Sequence, residues 1–337
     1  MKAVLMVNLG SPDSTKTKDV KKYLAEFLMD ERVIDIPYVS RFLLVKGIIL
    51  NTRPKKSAAA YQKIWWKEGS PLVVISHQLR DKVSTYTKTP VYLAMRYGNP
   101  SIHSVLKKMN TDGVTEILLM PMYPHYAMAS TETVEVLVDE LQKKHFPHFK
   151  IEKFKPFYNN PAYIQLLADK VKSTLNSELQ DTKIVFSYHG LPERQIYKTD
   201  PTKSHCKIDG SCCTTPSIAH KTCYRHQCFE TTRLVAENLQ LKTENYTISF
   251  QSRLGRTPWL LPATDQLIEE LGNEKIEKLA VISPAFVSDC LETLEEINME
   301  ARQEFTAAGG GKFTYIPCLN VQPAWAELIG KWINNWN

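Results

Sequence analysis

Glu292, Glu296 and Glu300 follow one another at four-residue steps, with Asp289 just ahead of Glu292. In a helix these carboxylates form one stripe, because side chains four apart lie above one another. Like charges so placed weaken an isolated helix by about a few tenths of a kcal/mol per pair. A chain that keeps them can use them to carry a cation or pass protons. Glu295 falls off the stripe and is expected in solvent. The acids follow an apolar, β-branched run at 279–283 and Pro284, so they begin just beyond a strand. His189 has a similar place, between an apolar run and Gly190-Leu191-Pro192. An imidazole at a strand end can take a proton near neutral pH or bind a metal.

Five of the seven cysteines, Cys206, Cys212, Cys213, Cys223 and Cys228, fall within one short segment. Metal binding explains this better than disulfides in a chain read as cytosolic. Four thiolates suit a [2Fe–2S] cluster or a Cys₄ zinc site. Five thiols for four places leave one over. Adjacent Cys212 and Cys213 point in different directions, so the expected set is Cys206, Cys213, Cys223 and Cys228, with Cys212 as the alternative to Cys213. Cys290 and Cys318 are expected as packing residues.

Strands are expected at 3–7, 91–95, 117–120, 184–186, 247–250 and 279–283. Helices are expected at 20–29, 71–86, 131–144, 162–177, 230–239, 289–305 and 324–336, with Gly309-Gly310-Gly311 stopping the one from 289. The alternation points to an α/β protein with parallel sheets. The chain also repeats itself. Leu5-Met6-Val7-Asn8-Leu9-Gly10-Ser11-Pro12 is similar to Val185-Phe186-Ser187-Tyr188-His189-Gly190-Leu191-Pro192. Met95-Arg96-Tyr97-Gly98 is similar to Ser252-Arg253-Leu254-Gly255, and Glu132-Thr133-Val134-Glu135 to Glu292-Thr293-Leu294-Glu295. These anchors recur in one order, each expected just beyond a strand. Two doubly wound, Rossmann-like half-domains with four-stranded parallel sheets follow, with a cleft between them where strand ends collect ligands. The expected division is 1–150, with an apolar lip at about 40–66; 151–310, with the cysteine-rich insertion at about 200–228; and 311–337, a strand and helix packing back across the halves.

The 337 residues are 43% hydrophobic and 23% charged, with a formal charge of +6. This is a soluble globular composition, and the charge is too spread to ask for nucleic acid. No run reaches the ~20 apolar residues of a membrane span. The apolar stretch 42–50 is short and broken by Lys46, so at most it rests on a membrane surface. A cytoplasmic enzyme is expected, peripheral to a membrane at most.

Ser187-Tyr188-His189-Gly190-Leu191-Pro192 and the segment Phe286-Val287-Ser288-Asp289-Cys290-Leu291-Glu292-Thr293-Leu294-Glu295-Glu296-Ile297 resemble the two signature segments of ferrochelatases, which insert Fe²⁺ into a porphyrin in haem synthesis. Val7-Asn8-Leu9-Gly10-Ser11-Pro12, Glu68-Gly69-Ser70-Pro71, Ala94-Met95-Arg96-Tyr97-Gly98 and Tyr123-Pro124-His125-Tyr126 extend the resemblance over most of the chain. It implies that His189 and Glu292 form the Fe²⁺ site, either one meeting iron first while the other takes pyrrole protons. Asp289, Glu296 and Glu300 become an acidic path for protons or iron. Cys290 stands where some members have His. The resemblance also implies a bent porphyrin, a lip over it, and in some bacterial members a [2Fe–2S] cluster in an insertion like this one.

Metalation removes two N–H protons from a poorly basic ring and strips water from Fe²⁺. Imidazole and carboxylate suit both tasks, holding Fe²⁺ without trapping it as thiolates would. A porphyrin also needs an apolar slot with polar ends. Phe42, Leu43, Leu44, Ile48, Ile49, Leu50, Ile64, Trp65 and Trp66 supply apolar groups. Leu9 and Tyr123 are expected along the ring, with Arg53 and Ser70 at the propionates. The apolar lip favours protoporphyrin IX over coproporphyrin III. It can also meet a membrane, a partner or a second copy. The rival readings are a chelatase that loads Co²⁺ or Ni²⁺ into another tetrapyrrole, and an iron–sulfur redox or sensor protein.

Overall fold

Four strands, β1 (Lys2–Ser11), β2 (Val91–Gly98), β3 (Glu116–Pro121) and β4 (Lys150–Lys153), pair in parallel in the order β2-β1-β3-β4. A second parallel sheet repeats that order. Its strands are β5 (Lys183–His189), β6 (Tyr246–Gln251), β7 (Lys278–Ile282) and β8 (Lys312–Ile316), arranged β6-β5-β7-β8. The computed structural model describes residues 1–253 and 257–336. They divide into a first unit, Met1–Tyr123, Met128–Lys155 and Asn320–Asn337, and a second, Pro124–Ala127 and Pro156–Leu319.

Both sheets carry helices on their faces, so their central strands are buried nearly throughout. In the first unit Leu5, Val7, Leu119 and Ile117 pack with Leu106, Val134 and Val138. In the second, Val185, Leu279 and Val281 pack with Ile268, Ile297, Ala301 and Phe305. Each large aliphatic or aromatic side chain so buried contributes roughly 1.5–3 kcal/mol. β4 and β8 lie at sheet edges, and β4 reads Lys-Ile-Glu-Lys with half its residues exposed. That pattern is too polar to stand out as a strand in the sequence.

The helix expected over 289–305 forms differently. Glu292–Ala301 is a π-helix, and only Arg302–Ala307 is α-helical. The π-helix has wider turns than an α-helix, with i→i+5 bonding. Its buried positions are Thr293, Glu295, Ile297 and Ala301. Glu295 is 5% exposed rather than solvated, which corrects the expectation from the stripe. The lip is helical from Tyr38 to Ile64, with a π-helix at Leu43–Ile49 before the helix Leu50–Ile64. The helix Tyr224–Asn238 starts six residues ahead of the expected 230, because Cys223 Sγ accepts the His226 N–H and caps it.

The repeat holds in three dimensions with one change of alignment. Leu9 and His189 lie inside the last turns of their strands rather than beyond them, and Met95-Arg96-Tyr97-Gly98 lies within β2. Asn8 is level with Met95 and Gly10 with Tyr97, which puts Leu9 beside Arg96. His189 is level with Gln251. The ladder therefore matches Arg96 with Gln251, not with Arg253. Leu254 and Gly255 of the expected anchor lie outside the described residues.

Gly10 and Gly190 hold matching places in the two sheets. A methyl on Gly10 would lie 1.8 Å from the Tyr97 carbonyl oxygen, and Gly10 has φ +102°. At Gly190 it would lie 2.7 Å from the Gln251 oxygen. Only glycine lets neighbouring strands approach this closely. Gly10→Ala is expected to cost roughly 3 kcal/mol or more, combining a steric clash with left-handed strain. Urea denaturation checks this, and an unchanged midpoint would show that the strand end relaxes freely.

Candidate active site in the second unit

Alternation along β5 puts Val185, Ser187 and His189 on one face and Phe186 and Tyr188 on the other. Val185 packs with Ile297 and Ala301 of the π-helix, so His189 projects on the face that carries the acids. It is half-buried, and its ring meets Phe286 edge-on at 6.4 Å between centroids. The Gly190 N–H that follows donates to the Gln251 carbonyl at 2.8 Å.

Gln251 joins this strand end to the acidic helix. Its Oε1 accepts from Ser187 Oγ at 2.9 Å. Its Nε2 donates to the Glu292 carbonyl at 2.9 Å and to Glu296 Oε2 at 3.4 Å. Ser187 also meets Thr264 Oγ1 at 2.9 Å, and Thr264 donates to Ser249 at 2.8 Å. This buried polar network fits the rule that interior polar groups find partners. Ser252 follows with φ 65°, a left-handed conformation for a residue with a side chain, and its hydroxyl donates to Glu296. Strain of this kind gathers at functional sites.

The two units differ at these matching places. In the first, Arg96 pairs with Asp30 at 2.5 Å and donates to Thr133 Oγ1 at 2.8 Å. Glu132, the counterpart of Glu292, lies 3.3 Å from Arg32 Nε. In the second, a neutral amide replaces the guanidinium. Among the described residues neither Glu292 nor Glu296 pairs with Lys or Arg. Burial, and then the charge of Glu292, push the Glu296 carboxyl up to about 7, against the opposing bonds from Ser252 and Gln251. A group with that value exchanges protons readily at neutral pH.

The other acids of the series have different surroundings. Asp289 Oδ1 accepts from the Tyr315 hydroxyl, from Thr293 Oγ1 at 3.2 Å and from the Cys318 N–H at 3.2 Å. These bonds hold the start of the π-helix to the end of β8. Glu300 is exposed. Cys290 is buried, and its thiol is pushed well up, first by burial and then by the charge of Glu292. Cys318 is buried as well, so both behave as the expected packing residues. The four residues expected at a porphyrin belong to the first unit. Leu9 is half-buried, Arg53 exposed on the helix Leu50–Ile64, and Ser70 buried at the N-cap of the helix Pro71–Val83. The Tyr123 hydroxyl is buried and has no hydrogen-bond partner among the described residues.

All five clustered cysteines are buried. Cys206 Sγ lies 3.9 Å from Cys223 Sγ, and Arg225 Nη1 donates to Cys213 Sγ at 3.0 Å. Burial pushes the Cys206 thiol up to about 11, and Cys228 also rises through burial. Among the described residues no group of three or more His, Cys, Asp or Glu side chains is arranged to hold a single metal ion. The donor chemistry nevertheless suits a thiolate-bound group. Arg225 is 9% exposed, pairs with no carboxylate among the described residues, and has a buried Nε without a partner. A buried cation left alone costs several kcal/mol, and an anionic metal–thiolate group would offset that. Three imidazoles also ring the segment. His205 and His220 bond the Cys212 carbonyl at 2.8 and 2.9 Å, and His226 the Cys213 carbonyl at 2.8 Å.

Sequence reasoning did not single out Gln251, Ser252, Tyr224 or Arg225. A polar Gln ending the apolar strand Tyr-Thr-Ile-Ser-Phe-Gln was the available signal for the first.

The raised Glu296 carboxyl gives a stability prediction. The folded state binds this proton more tightly than the unfolded chain, so its contribution is full below about pH 4.5 and lost as pH rises through about 7. Glu296→Gln removes that dependence. The variant should gain stability over the natural chain between pH 5 and 8, on the order of 3 kcal/mol in total. Urea midpoints at several pH values measure it, and a difference that does not vary with pH rules out the raised carboxyl.

Residues 1–336 match the ferrochelatase family model. The chain is 48% identical to the ferrochelatase of Opitutus terrae over 338 residues, covering 99% of this chain and 97% of the relative. It is 44% identical over 329 residues to that of Stutzerimonas stutzeri, covering 97% and 96%. Among solved structures, SirB from Bacillus subtilis with Fe³⁺ shares the fold at a TM-score of 0.56 and 12% identity, over 99% of this chain and 94% of that one. The sirohydrochlorin chelatase SirB in complex with cobalt, from Bacillus subtilis subspecies spizizenii, gives 0.54 and 10%, over 97% and 92%. Matched by the family model from residue 1 to 336 and by relatives 44% and 48% identical over nearly their whole length, the chain belongs to the ferrochelatases.

Proposed function

We propose that this chain inserts Fe²⁺ into protoporphyrin IX, with His189 and Glu292 as the pair that handles iron and pyrrole protons. Ferrochelatase activity in haem synthesis follows from the family. The porphyrin preference and the residue roles are our reading. The observation that carries it is the pair Glu292 and Glu296, which meets no Lys or Arg among the described residues and is tied through Gln251 to the strand end that bears His189.

Porphyrin and Fe²⁺ are the substrates, and the net change is two N–H bonds broken, two protons released and iron bound by the ring. His189 takes a pyrrole proton as a neutral imidazole. Glu292 attracts Fe²⁺, and among the described residues no Lys or Arg pairs with it. Glu296 accepts and returns protons close to its own value of about 7. Glu300 continues the acidic path to solvent, while Asp289 anchors its start. Leu9 and Tyr123 contact the ring, and Arg53 and Ser70 the propionates. His189→Ala and Glu292→Gln should each lower the rate of metalation by about 10³-fold or more while circular dichroism stays native. Porphyrin absorbance, followed with Fe²⁺ or Zn²⁺, measures the rate, and full activity in either variant refutes the assignment. Faster turnover of coproporphyrin III than of protoporphyrin IX would select the tetracarboxylate instead.

The cysteine-rich segment is read as the seat of a [2Fe–2S] cluster held by Cys206, Cys213, Cys223 and Cys228, with Cys212 in place of Cys213 as the variant reading. Bound there, it supplies a one-electron redox centre. Metalation needs no electron, so the centre serves structure or sensing. Anaerobically purified protein should be coloured and release acid-labile sulfide. Colourless, sulfide-free protein excludes the cluster.

The lip exposes Tyr38, Val39, Phe42, Leu43 and Ile48 beside exposed Lys46, Arg53, Lys55 and Lys56. No described helix is long and apolar enough to cross a membrane. Apolar groups among cations suit peripheral contact with an anionic lipid surface.

A further inference from the structure

We propose that Tyr224 is a positioning residue that makes the placement of His189 depend on the state of the cysteine-rich segment. The inference deepens the reading above by assigning its site a form of regulation.

Residues 223–225 are where the segment's contacts converge. Cys223 Sγ lies 3.9 Å from Cys206 Sγ and accepts the His226 N–H at 3.5 Å. Arg225 reaches Cys213 Sγ at 3.0 Å. Tyr224, between them, turns the other way. It is 5% exposed, and its hydroxyl donates to the His189 carbonyl at 2.9 Å.

That carbonyl faces away from β6, opposite the Gly190 N–H of the same trans peptide. β7 pairs with β5 only as far as Phe186, level with Ile282. On the other side, the Gly190 N–H is held by the Gln251 carbonyl at 2.8 Å. The two bonds fix opposite ends of one peptide plane, His189–Gly190. One belongs to the sheet and the other to the cysteine segment. Since a peptide is rigid, a shift of Tyr224 tilts this plane and changes the direction in which His189 projects.

The ring contacts make the link stiff. Tyr224 packs near-perpendicular on His125 at 5.9 Å, and His125 on Tyr188 at 5.3 Å. The Tyr188 hydroxyl meets Thr232 Oγ1, on the same helix as Tyr224, at 2.8 Å. The helix that begins at Cys223 thus grips both of the last two residues of β5. Any change that moves Cys223 (loading of a metal group, or oxidation of the thiols) reaches His189 through bonds and close packing.

Tyr224→Phe removes one hydroxyl and keeps the ring. In zinc metalation of a porphyrin it should lower kcat about tenfold, with KM for the porphyrin within about twofold. The imidazole resonances of His189, assigned in ¹⁵N-histidine-labelled protein with His189→Ala, should shift. Cys206→Ser, distant in sequence from Tyr224, should shift the same resonances in the natural chain but not in the Tyr224→Phe background. Cys212→Ser repeats the comparison should the first serine unfold the segment. The proposal is overturned by His189 resonances that are unmoved in Tyr224→Phe. It is equally overturned by a cysteine-dependent shift that survives the loss of the hydroxyl. The resonances do not depend on turnover. A chain that metalates no porphyrin yet shows the Tyr224-dependent shift would therefore sink the ferrochelatase reading and support the coupling.

Discussion

A buried side-chain amide has to bond at both ends, and Gln251 does so between two elements that no backbone ladder joins. Its oxygen takes the Ser187 hydroxyl from β5, and its nitrogen reaches the Glu292 carbonyl and the Glu296 carboxylate on the π-helix. Leaving either end unmet would cost about 1–3 kcal/mol. The register of β5 and β6 places this residue level with His189. Imidazole, amide and carboxylates therefore share one support. Their relative placement rests on three bonds rather than on rotamer choice alone.

The first unit shows what the same framework does without that amide. Arg96 occupies the matching ladder position and is neutralised by Asp30, while Arg32 lies beside Glu132. These two guanidinium groups are therefore each paired with a carboxylate. With an amide in place of the guanidinium, Glu292 and Glu296 pair with no Lys or Arg among the described residues. Burial then raises Glu296 into the neutral range. One topology thus carries different charge arrangements at matching ladder positions.

Much of this was legible in the residues. The alternation of apolar runs with helical periods announced α/β architecture, and the recurring anchors announced two similar sheets. His189 at the end of β5 and the glutamate series after β7 were readable as candidates from residue type and spacing. Two expectations differ from the structure, for separate reasons. Residue type aligns Arg96 with Arg253, whereas the ladder aligns it with Gln251, because Arg96 lies within β2 and Arg253 beyond the end of β6. The expected solvated Glu295 is buried, as are Thr293, Ile297 and Ala301. Glu295 lies two residues from Thr293 and from Ile297, on another side of the helix, so the helix is covered on more than one face. A charge stripe read from spacing assumes a helix with one solvated side.

By itself the sequence determined which side chains are available: a proton-active imidazole, a run of carboxylates and a concentration of thiols, each set beside a readable strand or helix. Those are local properties, carried by residue type and spacing. Only the tertiary structure decided which of them are neighbours. It set Gln251 beside His189, bound Asp289 to the end of β8, and led Tyr224 from the cysteine segment to the His189 carbonyl. Strand register and helix docking bring together residues far apart along the chain. The buried polar groups that meet there have to satisfy one another, a condition that no short stretch of sequence contains.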